Sequence, residues 1–360
     1  MFTFEFLDAH HGDCFLVHWG APHDRVMLVD GGPGGVYRAT LRDRLRQLRG
    51  ADGGGGPPHL DVVCLSHIDE DHVGGLDRLF RDMRQAQQDG DELPYTVGTL
   101  WFNAVEELVD RRAPGLSASV RPLLEHAASD TAFGASYQQG RTLRNATTAL
   151  GLAGNAPFGG PLTEGAETVL DDLDVTVVAP DEKALAELEE RWLEAKQRGD
   201  PGVISAGYTD GSVPNLSSIV LLLGHEGRTA LLTGDARGDR VLSGLSALGL
   251  LDDSGPLHVD LLKLPHHGSD RNVEAGFFEQ VRADHYVISA DGLRHHHPSE
   301  NTLRWLVESR AADDAYVVHL TNHIAFAEEE LTRLREGRAF DIDVRAPAEQ
   351  ALLIMEGDPP

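Results

Sequence analysis

The run Leu60-Asp61-Val62-Val63-Cys64-Leu65 passes directly into Ser66-His67-Ile68-Asp69-Glu70-Asp71-His72 and then into Val73-Gly74-Gly75. No other stretch restricts the fold as tightly. Its first part is apolar and β-branched, as a buried strand requires, and over 76–83 the apolar residues recur at helical spacing. His67, Asp69, Asp71 and His72 therefore sit on a strand-to-helix loop that is rigid at both ends and free to bend between them. Two imidazoles and two carboxylates within six positions form a mixed nitrogen and oxygen donor set. Such a set suits zinc, manganese or iron better than calcium or a sulfur-rich structural zinc. The same acidic turn also reads as a solvated helix N-terminus with Asp69 or Asp71 as its cap, so the rest of the chain has to decide.

The rest of the chain repeats the pattern. Strand-like runs cover 2–7, 13–19, 25–30, 60–65 and 99–103, and after a long gap 173–180, 218–223, 228–233, 259–264, 285–289 and 316–320, the last read as the final core strand. Residues 218–233 form a hairpin around Gly224-His225-Glu226-Gly227. Helical patterns over 36–48, 76–83 and 182–198 alternate with the strands, which predicts an α/β layered fold. Candidate ligands stand at the carboxyl ends of these strands, where α/β sheets place ligand sites: Asp30, the 67–72 loop, Asp235 behind Thr233-Gly234, His266 and His267 behind Pro265, and His297 before Pro298. Residues 104–165 are helical or irregular and are expected to form an insertion or lid over the site. Residues 1–345 otherwise read as one domain, and 346–360 as a C-terminal tail.

Composition narrows the partners. The net charge is −27 and no run of Lys or Arg forms a stripe, which argues against tight duplex binding. No apolar stretch approaches membrane-spanning length, and the alternating N-terminus lacks the apolar core of a signal peptide. The two cysteines, Cys14 and Cys64, lie in apolar runs and read as small buried hydrophobes rather than a disulfide framework. A soluble cytoplasmic protein with no membrane partner is expected. No partner protein is readable.

In this order, each behind an apolar strand, these residues give a sequence that resembles the metallo-β-lactamase superfamily. The family's His-x-His-x-Asp-His loop reads here His67-Ile68-Asp69-Glu70-Asp71-His72, with Asp69 in place of the second histidine. That replacement, with Val73-Gly74-Gly75 behind it, is similar to the branch containing the hydrolase domain of the DNA-uptake protein ComEC. So are Gly12-Asp13, Val29-Asp30-Gly31-Gly32, Asn215-Leu216-Ser217-Ser218 ahead of Thr233-Gly234-Asp235, Leu262-Lys263-Leu264-Pro265-His266-His267-Gly268-Ser269, and His297-Pro298-Ser299. The resemblance covers about residues 1–103 and 170–325.

The resemblance implies an α/β fold, an αββα sandwich of two mixed β-sheets flanked by helices, with two divalent metal ions, zinc or manganese, between the sheets. Carried over residue by residue, His67 and Asp69 would bind the first ion, Asp71 and His72 the second, Asp235 both, and His266 would complete the second. Asp30 would support the loop by hydrogen bonding, Lys263 would be a buried partner of Asp235, and Asn215 and Ser217 would cap a turn or orient the loop. Asp71 would also orient the nucleophile. His267 and His297 would face the substrate, stabilising negative charge or protonating the leaving group. One departure stands out: the further histidine that many members give the first ion has no obvious counterpart. His126 and His225 are the only histidines in the right segment, which would leave the first ion weakly held, oxygen-rich and closer to manganese chemistry, or completed by His297 or the substrate. The implied activity is metal-dependent hydrolysis by a metal-bound hydroxide, of phosphodiesterase or nuclease type, on a small phosphodiester or a short single-stranded nucleic acid. Hydrolysis of a thioester, lactone or lactam, and a non-catalytic metal-binding scaffold or sensor subunit, are the alternatives.

Overall fold

Alternation along the chain builds two sheets. The computed structural model describes residues 2–20, 25–48, 55–127, 132–200, 214–252 and 255–355. In the first sheet β1 (Phe2–Leu7), β2 (Phe15–Trp19) and β3 (Arg25–Val29) run antiparallel, and β3, β4 (His59–Leu65), β5 (Thr96–Phe102) and the two-residue β6 (Ala153–Gly154) run parallel. In the second, β7 (Glu167–Leu170), β8 (Leu173–Ala179), β9 (Val220–His225) and β10 (Arg228–Leu232) run antiparallel. From β10 onward, β11 (Leu257–Lys263), β12 (Val281–Ile288), β13 (Val317–Leu320) and β14 (Asp341–Val344) run parallel. A last strand, β15 (Ala351–Ile354), returns to the first sheet and pairs antiparallel with β1.

The apolar side chains sort into three layers. Phe2, Phe4, Phe6, Phe15, Met27 and Cys64 of the first sheet meet Val175, Leu221, Leu261 and Val287 of the second. Each such aromatic contributes about 1.5–3 kcal/mol by leaving water. Outside the first sheet pack α1 (Arg42–Leu45), α2 (Glu70–Asp89), α3 (Val105–Arg112), α4 (Leu116–Ala127), α5 (Ala132–Leu150) and α6 (Glu182–Arg198). Outside the second pack α7 (Gly238–Ala247), α8 (Ala275–Gln280), α9 (Glu300–Glu308) and α10 (Ala325–Leu334). The α/β, αββα layering of two mixed sheets is thus observed, and Cys14 and Cys64 are free and buried.

One local feature differs from the sequence reading and two add to it. The segment expected to be a tail supplies β15, and β14 follows the strand read as last; both are four-residue edge strands that alternate too briefly to be seen in sequence. The segment 104–165, expected as an insertion or lid, packs its helices on the outer layer of the first sheet and reaches the metal loop. Leu108, Val120, Leu124, Tyr137 and Leu143 share the core of α2 and α6, and Gly140 of α5 lies where an added Cβ would be 2.9 Å from Ile68 Cγ2. Finally, the glycine pair in Val73-Gly74-Gly75 has a packing reason. A Cβ at Gly75 would sit 1.9 Å from the Gly31 carbonyl oxygen, and one at Gly31 would sit 2.4 Å from Leu76 N. Only glycines let the start of α2 lie flat on the loop after β3.

Candidate metal centre

The loop after β4 is held at both ends by one carboxylate. Asp30, with φ 56°, closes β3 in the left-handed region. Its Oδ1 accepts from Ser66 N at 2.7 Å, and its Oδ2 accepts from Ser66 Oγ at 2.7 Å and from His72 Nδ1 at 2.8 Å. Ser66 starts the loop and His72 lies in the first turn of α2, so Asp30 fixes both. Gly31 N donates to His72 O at 2.8 Å. The neighbouring loop is equally tight: Asp13 N donates to Asp71 O at 3.2 Å, and a Cβ on Gly12 would stand 1.9 Å from that oxygen.

The second sheet brings its residues to the same place. Gly234, with φ 49°, turns the chain after β10 and presents Asp235, whose N–H donates to Ser218 Oγ at 3.2 Å. Behind β11, His266 and His267 are both left-handed, with φ 46° and 55°. Two adjacent non-glycine residues in this region store strain of order ~1–3 kcal/mol each, and such strain concentrates at functional sites. Here it turns the two imidazoles toward different oxygens of Asp235. His267 Nε2 lies 3.4 Å from Oδ1 and His266 Nε2 lies 3.6 Å from Oδ2.

Around Asp235 the histidines form two groups. On the Oδ1 side stand His72 Nε2 at 3.3 Å and His267 Nε2, which is also 3.8 Å from Asp71 Oδ2. On the Oδ2 side stand His67 Nε2 at 3.7 Å and His266; His67 Nε2 is in turn 3.6 Å from Asp69 Oδ2. His67, His72, Asp235 and His267 are all buried.

The hydrogen bonds test whether these residues suit a metal. His72 Nδ1 donates to Asp30, His267 Nδ1 donates to the Ser289 carbonyl at 2.8 Å, and His67 Nδ1 lies 3.0 Å from Ser66 Oγ, whose own proton goes to Asp30. Each Nδ1 thus carries the proton, and each Nε2 lone pair points inward. The Nε2 atoms of His67, His72 and His267 and Asp235 Oδ1 are buried with no hydrogen-bond partner. Ring nitrogens oriented by an outer acceptor and converging without partners are what a divalent ion needs. The triads His67/His72/Asp235 and Asp71/His72/His267 each bring three donor atoms within 4.8 Å of one another.

Charge supports the same reading. Asp13, Asp30, Asp69, Asp71 and Asp235 line the centre, and one buried ammonium, Lys263, lies beside Asp13 and Asp235. Lys263 pairs with Asp13, donates to the Gly234 carbonyl at 3.1 Å and is 3.9 Å from Asp235. Burial alone would raise the Asp235 pKa, but His266, His267 and His72 outweigh it and hold the carboxyl well below its usual range. Burial would lower His72, yet Asp235 and Asp30 raise it.

Several expected residues sit differently. His267, read as facing the substrate, occupies the position beside Asp71 and His72 that was expected of His266. His266, whose side chain is 27% exposed, faces His67 instead. The local cause is the left-handed pair after Pro265, which alternation along a strand could not reveal. His225 does not approach the centre: it packs on Phe2 and lies 3.1 Å from the Asp172 carbonyl. The side chain of His126 lies outside the described residues. His297 stands edge-on to His266, with ring centroids 5.6 Å apart. Burial, then His267 and His266, push its pKa down to about 3. Asn215 Nδ2 is 3.4 Å from His266 Nδ1, and Ser217 is buried in the same turn, but the hydroxyl on the Asp235 N–H belongs to Ser218. Lys263 pairs with Asp13 more closely than with Asp235. Asp13, Ser66, Ser218 and Ser289 were not assigned roles from sequence. Of these Asp13 carried a signal as a charged residue at the start of an apolar run, and Ser218 as the last residue of the Asn215–Ser218 motif.

Residues 7–82 match the family model of the Metallo-beta-lactamase superfamily. The match contains Asp30 and the whole His67–His72 loop, and together with the two-sheet layering it supports a place in that superfamily. Microtubule-associated protein 1A of mouse is 28% identical over 119 residues, 32% of this chain and 4% of that protein, and the human protein is 27% identical over the same length. The chain therefore spans about 4% of the length of the curated relatives it matches. Among solved structures, zinc-bound PqqB from Methylobacterium extorquens aligns over 98% of this chain and 99% of its own, with 14% identity and a TM-score of 0.44. A protein of unknown function from Enterococcus faecalis aligns over 96% of this chain and 77% of its own, with 12% identity and a TM-score of 0.31.

Proposed function

We propose that this chain is a metal-dependent hydrolase of phosphodiesters, holding two divalent ions around Asp235. One observation carries the proposal: three buried imidazole Nε2 atoms and a carboxylate oxygen converge with their outer partners satisfied and their inner sides unpartnered. His67, Asp69, His266 and Asp235 Oδ2 would hold one ion, and Asp71, His72, His267 and Asp235 Oδ1 the other. Each set has two imidazoles and at least two carboxylate oxygens, which favours zinc, with manganese as the alternative. Such ions bring water to neutral-pH reactivity and polarise a phosphoryl oxygen.

The protein's own groups supply the rest. Asp235, fixed by Ser218 and the Gly234 turn, keeps the two halves of the site in register. Asp71 is the most solvent-accessible of the clustered carboxylates, with a side chain 19% exposed, and is placed to orient an incoming nucleophile. His297 is neutral at pH 7, so it offers a hydrogen bond to the leaving group rather than a positive charge. The substrate class rests on the ComEC-like motif pattern and on charge. A chain of net charge −27 suits a small phosphodiester or a short single strand better than long duplex. Two free buried cysteines fit a reducing, cytoplasmic setting, and among the described residues no helix is long and apolar enough to cross a membrane.

The test is metal content by mass spectrometry on wild type and Asp235→Ala, with hydrolysis of bis-p-nitrophenyl phosphate in added zinc or manganese. Two equivalents of metal with turnover are expected in wild type, and loss of both in the variant. Bound metal with no turnover of any diester would instead favour a thioester, lactone or lactam hydrolase, or a scaffold.

A further inference from the structure

The rim above the cluster holds a guanidinium whose placement the hydrolase reading does not use. His11 directly precedes Gly12, the glycine that lies against the Asp71 carbonyl, and the carboxylates of Asp71 and Glu70 lie near enough to act on its ring. Arg294 Nη1 is 2.9 Å from His11 Nε2. Arg294 can only donate, so His11 accepts and is neutral at that contact; burial lowers its pKa in the same sense. From Arg294 a file of imidazoles leads inward. His11 to His295 is 6.1 Å between ring centroids, His295 to His297 is 6.0 Å, and His297 to His266 is 5.6 Å.

The loop that carries Arg294 is anchored. Gly292, with φ 72°, packs where a Cβ would be 2.7 Å from Ile324 Cγ2, Asp291 Oδ1 accepts from Leu293 N at 2.9 Å, and Asn322 Nδ2 donates to the Ala290 carbonyl at 3.1 Å. The loop is thus held in place, and the guanidinium it carries is poorly neutralised. Its side chain is 58% exposed, and among the described residues its one ion pair is with Glu70 at 4.0 Å. The other oxygen of Glu70 accepts from Gly34 N. A half-exposed fork of donors beside the metal loop, with its one carboxylate contact at 4.0 Å, has the chemistry to bind an oxyanion.

We infer that Arg294, pinned by His11, binds a second phosphate-type anion of the substrate, displaced from the diester that is cleaved. This rests on the hydrolase reading and sharpens it: the preferred substrate carries at least two phosphate groups. They could be a terminal phosphate on a nucleotide or the next diester of a short strand, and the shared chemistry is a phosphate oxyanion beside the scissile centre.

The experiment compares metal-loaded wild type, Arg294→Gln and Arg294→Lys on three p-nitrophenyl substrates. Bis-p-nitrophenyl phosphate has no second anion, thymidine 3′-phosphate 5′-(p-nitrophenyl phosphate) has a terminal one, and the p-nitrophenyl ester of a thymidine dinucleotide has an internal one. Arg294→Gln should lower kcat/KM on the substrates with a second anion by about ten-fold or more, the scale of a lost charge-assisted hydrogen bond. It should leave bis-p-nitrophenyl phosphate within two-fold, and Arg294→Lys should recover part of the loss. A deficit confined to the terminal or to the internal phosphate identifies which is bound. Equal effects on all three substrates, or none on any, overturn the inference. If wild type hydrolyses no diester, the hydrolase reading fails, and calorimetric titration with thymidine 3′,5′-bisphosphate decides the subsite alone. At least about ten-fold weaker binding to Arg294→Gln supports it, and unchanged binding rejects it.

Discussion

Replacing Lys263 with methionine removes the one ammonium from a cluster of five carboxylates while keeping the apolar stem. Lys263 and Asp13 are each 1% exposed and pair directly. Breaking a fully buried pair by removing one partner costs about 3–5 kcal/mol, because the other charge is stranded. For 360 residues at about 2.1 cal/mol/K per residue, the unfolding entropy is about 0.76 kcal/mol/K, so Tm should fall by about 4–7 °C. The loss should depend on pH. In the native protein burial would raise the Asp13 pKa, but Lys263, then His267 and His72, overcome it and hold the carboxyl well below its ordinary value. This contributes stability above the unfolded pKa near 3.8 that is lost as pH falls through the folded value. Without Lys263 burial prevails, and ionising Asp13 becomes costly. The gap between wild type and Lys263→Met should therefore widen as pH rises above about 4. Denaturant titrations in chelator at pH 5 and pH 8 measure it. Asp13→Asn combined with Lys263→Met should recover most of the stability. A double variant as unstable as the single one, or a gap that narrows with pH, refutes this account of the pair.

Other expectations follow from single contacts. Gly12→Ala should destabilise by about 1–3 kcal/mol or more and lower metal content, since its Cβ would overlap the Asp71 carbonyl; chemical denaturation and mass spectrometry read both. His266→Ala and His267→Ala should each reduce bound metal from two equivalents toward one, whereas removal of both equivalents by either variant would refute separate sites on the two oxygens of Asp235. Because the inward Nε2 atoms must be unprotonated to bind metal, affinity should weaken and protons be released as pH falls below 7, measured by calorimetry in buffers of different ionisation enthalpy. Away from the centre, burial, then His319, push His285 down to about 4. The unfolded imidazole takes its proton near 6.5, so stability should decline as pH drops from about 6.5 to about 4. His285→Gln should flatten that decline in a thermal melt series.

The parts of the site legible in sequence were those carried by an apolar strand followed by a dense polar run. Asp30, the 67–72 loop, Asp235 and the His266-His267 pair all stood out because strand alternation stops abruptly there. What was hidden depends on backbone dihedral angles and on contacts across sheets. The exchange of places between His266 and His267 comes from two left-handed residues that leave no compositional trace. The shift from Ser217 to Ser218 is one residue of turn geometry. Asp13 looked like a strand residue until its pairing with Lys263, from the opposite sheet, was seen. In the fold, long alternating strands were readable, whereas β6, β7, β14 and β15 are two to four residues each and take their conformation from the edges they join.

His67 and His72 come from one sheet, while Asp235, His266 and His267 come from the other. Cations bound among them would fasten the two halves of the sandwich across their seam, where the apolar layer gives way to polar groups. Depleting them should therefore loosen more than a catalytic pocket. Amides along the ends of β4, β10 and β11 should exchange with deuterium together, ahead of those between the phenylalanines of β1 and β2.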